Sequence, residues 1–359
     1  MDFDILPLRV SRDPHAGGSD MKLPWQRRAR KDRVVVARSD DRFVYVQAEG
    51  ARVLRCGMEL KGDGDAAAFA RRVRSLGLPP ADVIAVLALS DSQLLKIEAP
   101  AVPPDELKAA ARWCIKDLVD THLDDLTLDV MQVGDGRQKA QRQLFVVAAH
   151  SQLVRELSEW SHAARLELSV IEIRETVQRN LQSAAAAAQG RLAHANAALM
   201  VHGAECLLTI CANGELFYAR RLAWQPDMLA AHHAPAAMAP VDRPSSGFAD
   251  LDIVDYSDEG NAGIDLAEAT PPLLIELQRS FDLWERSWPD LPLDQLVVQA
   301  NGHTGMLVEL LAPAMPMPVA ALDANALFPG FAAAAGSPEL TAASLPLLGA
   351  LLRAETRQL

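Results

Sequence analysis

The feature that most constrains the fold is a strand pattern that occurs twice. From Arg33 the chain reads Val34 to Ala37, a polar turn at Ser39-Asp40-Asp41, Phe43 to Val46, a second turn at Glu49-Gly50, then Val53-Leu54. Far downstream, Ala198 to Val201, a break at Gly203-Ala204-Glu205, Cys206 to Cys211, a turn at Asn213-Gly214 and Leu216 to Leu222 repeat it. Apolar alternation bounded by turn formers predicts strands, and Asn-Gly between apolar runs is a strong hairpin signal. Two such meanders, each leading to helices and further strands, predict a duplicated α/β architecture with one lobe per copy.

Between the copies the spacing predicts a short amphipathic helix from Asp65 to Leu76 and a buried-type strand from Val83 to Leu89. After Pro103-Pro104, residues Asp105 to Val119 place Leu107, Ala111, Cys114, Ile115 and Leu118 on one helical face. Strand patterns at Leu126 to Val133 and Leu144 to Ala149 follow, then a helix capped by Ser151 and carrying Leu153, Leu157, Trp160 and Ala164. Residues 104–165 therefore read as an inserted helix-strand-strand-helix subdomain. Leu168 to Ile173 is strand-like and leads into a helix that runs through Leu181 to Ala188.

Residues 225–268, rich in proline, acidic and small residues and carrying His232-His233, break the pattern and read as an irregular excursion. Thr270-Pro271 then opens a helix with Leu273, Leu277, Phe281, Trp284 and Trp288 in one stripe. Leu296 to Val298 (strand), Gln299 to Gly305 (loop), Met306 to Leu311 (helix), a strand around Val319, an Ala- and Gly-rich linker and a helix from Leu345 to Arg353 complete the chain. The expected divisions are an N-terminal arm (1–32), a first lobe (33–190), a second lobe (191–340) and a C-terminal helix returning to the first lobe (341–359).

With 359 residues the chain is long enough for more than one core. No apolar run approaches the length of a membrane-spanning helix, and residues 1–20 lack the pattern of a secretory signal. A net charge of −12 argues against nucleic acid as a partner. The one basic cluster, Lys22, Arg27, Arg28, Arg30, Lys31 and Arg33 beside Trp25, reads first as a solvated flexible arm, with contact to an anionic membrane surface as the alternative. The cysteines Cys56, Cys114, Cys206 and Cys211 form no CxxC pair, which fits a reduced cytosolic chain with no metal site.

Four stretches resemble the PilM and MshI family of pilus-assembly proteins, the MshI branch most nearly: Glu106 to Ile115, Ala198 to Leu222, Leu274 to Trp284 and Leu293 to Leu310. The resemblance spans roughly residues 33–353. It implies a duplicated two-lobe actin-like (ribonuclease H-like) fold. It also implies a cytoplasmic protein, peripheral at the inner membrane, that binds the cytoplasmic N-terminal segment of a PilN- or MshJ-like membrane protein. ATP with magnesium is the cofactor the resemblance allows.

Actin-like ATPases bring backbone N–H groups to phosphate through two glycine-bearing hairpin turns, with a carboxylate nearby for magnesium. Here the first family turn falls at Val36, Arg38 and Ser39, so both its Asp and its Gly are replaced, with Asp40 and Asp41 close by. At the second turn Met200 and His202 stand where the family has Asp and Gly, Gly203 lies one place later, and Glu205 is the nearest carboxylate. The third, adenosine-side loop reads Ala300-Asn301-Gly302-His303-Thr304-Gly305. Ser39, Gly203, Glu205 and Gly302 therefore mark a degenerate nucleotide cleft. The expectation is a scaffold with no catalytic residues and no required cofactor; the alternative is an actin-like ATPase or phosphotransferase using substitute residues. No P-loop, GxSxG or HExxH motif competes.

Overall fold

The computed structural model describes residues 32–80, 82–135, 142–226, 229 and 271–354. The first meander forms β1 (Asp32–Arg38), β2 (Arg42–Glu49) and β3 (Arg52–Leu60). Helix α1 (Ala66–Ser75) follows, its first turn capped by Asp65, whose carboxylate accepts from the Ala68 N–H at 2.6 Å. Phe69, Ala70 and Val73 turn its apolar side inward. β4 (Val83–Val86) runs parallel to β1.

The insert begins earlier than its helical signal. β5 (Ser92–Glu98) pairs with β7 (Gln143–His150), which also pairs with β6 (Leu126–Gln132), giving a three-stranded antiparallel sheet in the order β5-β7-β6. The insert therefore carries a strand that the helix-strand-strand-helix reading omits, because adjacent Leu94-Leu95 blurs the period-two alternation of Ser92 to Glu98. Helix α2 is shorter than its spacing predicts, Leu107–Cys114 after a 3-10 turn at Pro104–Glu106. Ala111 and Ile115 are buried as expected, but Cys114 and Leu118 are exposed, since the helical register does not continue past the cap at Ile115. In α3 (Ser151–Ala163) the cap position belongs to His150, and Ser151 is the first helical residue, its hydroxyl 3.0 Å from that of Thr127.

β8 (Leu168–Glu172) joins β4 in parallel and completes a five-stranded sheet, β3-β2-β1-β4-β8. After α4 (Arg174–Ala188), the second meander forms β9 (Ala195–His202), β10 (Glu205–Ala212) and β11 (Glu215–Ala223). Helix α5 (Pro272–Ser287), β12 (Leu293–Gln299), α6 (Thr304–Leu311) and β13 (Val319–Ala321) follow. The second sheet runs β11-β10-β9-β12-β13, with the order and strand senses of the first. That identity of topology is the duplication read from the repeated meander.

Helix α4 lies between the sheets and explains its own composition. Val177 and Leu181 join an apolar cluster with Val35 and Ile84 of the first sheet and Ala198 and Met200 of the second. Its buried amides meet backbone groups and side chains of the second sheet: Gln178 Nε2 donates to the carbonyls of Ala198 and Leu207 and to Thr209 Oγ1, and Gln182 Nε2 to the Asn196 carbonyl. Buried polar groups are tolerated when satisfied in this way.

Downstream of β13 the expected linker is folded into α7 (Ala324–Leu327) and α8 (Phe331–Ala335), and the Val53 N–H donates to the Pro329 carbonyl along the β3 edge. The expected Leu345 to Arg353 helix is broken instead into α9 (Pro338–Ser344), a 3-10 turn at Leu345–Leu347 and α10 (Leu348–Leu351). Pro346 lacks the N–H that a continuous helix would use there. This segment packs on the first sheet and α4: Arg33 Nη1 donates to the carbonyls of Leu351 and Arg353, and Arg353 pairs with fully buried Glu172.

Candidate functional site

Three turns define the candidate cleft. Strands β9 and β12 are parallel neighbours with Gln299 opposite Met200, so the turns carrying Gly203 and Gly302 emerge side by side at one end of the second sheet. The turn carrying Ser39 belongs to the first sheet. Helix α9 packs against β2, β3 and the Asn301–His303 turn, which places chain between the first turn and the third loop.

The first turn is occupied with its own bonds. Ser39 Oγ donates to Asp41 Oδ1 at 2.6 Å, and Arg42 grips Asp41 Oδ2 from Nε and Nη2 at 3.0 and 2.7 Å. The bonds from Arg42 and then from Ser39 hold the Asp41 carboxyl down at about 2. Arg38 turns onto Trp160, its guanidinium carbon 4.9 Å from the ring centroid.

At the second turn Gly203 has φ +69, the left-handed conformation that favours glycine, and a Cβ there would meet nothing within 4 Å. Glu205 opens β10, half-buried and opposite His202 and Ala223. His202 Nε2 lies 3.4 Å from Gln178 Oε1. Burial first, then the charges of Arg174 and Arg221, push its imidazole down to about 3. A group of that basicity is mismatched to proton transfer near neutral pH.

The third loop is shaped by Asn301, whose φ is +51 and whose Oδ1 accepts from Gln299 Nε2 at 2.8 Å. Thr304 Oγ1 accepts from the Ala300 N–H and donates to the Asn301 carbonyl. The His303 ring faces Trp224 with centroids 6.4 Å apart, while Gly302 has open space around it.

Backbone could approach a phosphate at Gly203 and Gly302. For magnesium the donor set does not fit: Asp41 is committed to Arg42 and Ser39, and among the described residues no group of three or more His, Cys, Asp or Glu is arranged to hold a metal ion. The four cysteines are free, Cys206 and Cys211 being buried on β10.

Sequence reasoning missed the most connected group near this site. Arg221, on edge strand β11, reaches Glu175 at the start of α4, with 2.9 Å from Nη2 to Oε1, and the carbonyls of Leu89 and Ser92. An Arg-Arg pair inside an otherwise apolar strand was the only sequence signal. Beside it Arg174 donates to the Pro346 carbonyl, and burial pulls its guanidinium down to about 10, so it remains cationic at neutral pH. Between β5 and β11, each an end strand of its sheet among the described residues, lies a groove of about 260 Å³, walled by Gln93, Leu94, Leu95, Leu207, Ala219 and Arg220, with Glu175 and Arg221 also lining it.

Of the basic N-terminal cluster only Arg33 lies among the described residues, and it is engaged with the C-terminal carbonyls and, at 3.7 Å, with Asp82. The paired histidines of the 225–268 excursion lie outside the described residues. Among the described residues no helix is long and apolar enough to cross a membrane.

No protein-family model matches the sequence, and the search of curated proteins finds no match. Solved structures do match. The chain is similar to the PilM-PilN type IV pilus biogenesis complex, with a TM-score of 0.60 and 16% identity over 90% of this chain and 99% of that one. Looser likenesses link it to the cytoplasmic domain of EpsL, an inner-membrane component of the type II secretion system of Vibrio cholerae (TM-score 0.40, 15% identity, 56% and 75% covered). Another is a Bacteroides thetaiotaomicron protein with an actin-like ATPase fold and unknown function (0.45, 9%, 84% and 94%). The last two superpose too loosely to carry an argument; the first shows the fold, which is actin-like.

Proposed function

We propose that this chain is a cytoplasmic scaffold of a type IV pilus, MSHA-like, or a related secretion machine. It binds the cytoplasmic N-terminal segment of a PilN- or MshJ-like inner-membrane protein and thereby sits at the membrane, and its nucleotide cleft is degenerate. The observation that carries this reading is the contrast between the turns and the groove. The carboxylate of the first turn is consumed by Arg42 and Ser39, whereas the groove between β5 and β11 is open and flanked by the end strands of two sheets among the described residues. Strand edges recognise an extended segment through backbone hydrogen bonds, with side-chain pockets adding specificity. The likeness to a structure whose name includes PilN supports the same class of partner. A contact of the basic residues within 22–33 with anionic lipid belongs to the proposal too, with Arg33 set aside for its internal role.

Calorimetric titration with a synthetic peptide of such an N-terminal segment tests the proposal. Saturable binding, abolished by a bulky substitution at Ala219 in the groove wall, is expected. A flat titration overturns it.

A second reading has one observation in its favour, the open space around Gly203 and Gly302. In that reading the protein is an actin-like ATPase or phosphotransferase. Tight binding of ATP with magnesium, weakened by Gly203→Trp, would establish it over the scaffold.

A further inference from the structure

Arg221 belongs to the second lobe, yet the bonds of its guanidinium leave that lobe. Nη1 donates to the Leu89 carbonyl and Nη2 to the Ser92 carbonyl at 2.8 Å, where the first sheet gives way to the insert. Nη2 and Nε both reach Glu175 Oε1, at 2.9 and 3.3 Å, in the first turn of the central helix. One planar cation with five donors thus joins three bodies: β11, α4 and the first strand of the insert.

The energetics favour a tie that stays made. The Glu175 side chain is 2% exposed, and its other oxygen, Oε2, has no hydrogen-bond partner among the described residues. Without Arg221 that buried carboxylate would lose the cation it is hydrogen-bonded to and keep the charge of neighbouring Arg174, an unfavourable arrangement. Opening the lobes would also free the two carbonyls. Elsewhere the insert is fastened to the same hairpin by the Gly134 N–H on the Leu216 carbonyl of β11 at 2.7 Å and by Asn213 Nδ2, in the turn before β11, on Asp135 Oδ2 at 3.0 Å. Arg221 lies near the other end of β11 from these contacts.

We propose that Arg221 is a built-in latch that holds the second lobe, the central helix and the insert in one arrangement without nucleotide. The guanidinium joins these parts through bonds made by the chain itself. The proposal rests on the scaffold reading for its purpose, since a groove with fixed walls binds a segment at a smaller ordering cost. Its structural content stands separately.

The test is hydrogen exchange and small-angle scattering on the full chain, with and without ATP and magnesium. The variants are Arg221→Ala and the double change Arg221→Ala with Glu175→Gln, which removes the buried charge so that the protein can fold without the latch. For the parent, no change in radius or exchange on adding ATP and magnesium is expected. The double variant should exchange about tenfold faster or more at residues 89–95 and 215–223, through local opening, and scatter as a more open particle. Exchange and radius equal to the parent's overturn the latch, as does compaction of the parent by ATP with magnesium. A parent that ignores the peptide but loses protection in the double variant sinks the scaffold reading and leaves the latch standing.

Discussion

Gly349 of α10 stands directly against the backbone of Val177 in α4: a Cβ on Gly349 would lie 1.9 Å from the Val177 carbonyl oxygen. The two segments approach closely only because that position has no side chain. Asn180 Nδ2 then reaches the Gly349 carbonyl at 3.2 Å, so the contact also secures the returning C-terminal segment.

Gly349→Ala should therefore push α10 off α4. Overpacking of this kind costs about 1 to 3 kcal/mol, more when backbone must move. Urea unfolding is expected to show a loss at or above the upper end of that range. A variant as stable as the parent would contradict the close crossing.

Gly134 joins the insert to the second lobe and has two reasons to be glycine. Its φ is +66, and a Cβ would sit 2.5 Å from the Phe217 ring. Gly134→Val is expected to destabilise the protein by about 2 kcal/mol or more, with loss of exchange protection concentrated at residues 126–150. Equal exchange in parent and variant would show that the insert is held by other contacts.

His202 makes stability depend on pH. Its folded imidazole is held down at about 3, below the usual 6.5. In the window between those values the unfolded chain binds the extra proton and the folded chain does not, so stability falls as pH falls and is fully present above about 6.5. Lowering the pH from 7 to 5 should cost about 1 to 2 kcal/mol through this residue. His202→Gln should flatten that slope in denaturant titrations at the two pH values. An unchanged slope would place the acid sensitivity elsewhere.

Arg353 and Glu172 form a buried pair linking the chain's end to the end of β8. Burial raises the Glu172 carboxyl against the downward pull of Arg353 and Thr176. Removing the cation alone, Arg353→Ala, should cost about 3 to 5 kcal/mol, and adding Glu172→Gln should restore part of it. If the double change is no better than the single one, the pair is not the source of the loss.

Much of the architecture was legible before any coordinates. Asn213 and Gly214 both take positive φ, 54° and 79°, in the hairpin that their dipeptide announced. The helix read over Asp65 to Leu76 forms over Ala66–Ser75, with Asp65 as its cap. These are local effects, set within a few residues. Strand β5 was not legible, because its pattern is ambiguous alone and becomes a strand through β7, some fifty residues away in the chain. The early end of α2 and the broken C-terminal helix also escaped, since periodicity predicts a face but not where packing stops it.

The candidate site divides along the same line. From sequence, the turns at Ser39, Gly203 and Gly302 read, through the family resemblance, as departures from an actin-like phosphate site, because residue identity is fixed whatever the fold does. Only the tertiary structure decided what occupies that neighbourhood. Arg221 lies 46 residues from Glu175 and 132 from Leu89 along the chain, and no local period encodes such a meeting. It arises when two sheets of equal topology close on one helix, and only that closure brings a cation from one lobe within hydrogen-bond reach of a buried carboxylate and two carbonyls in the other.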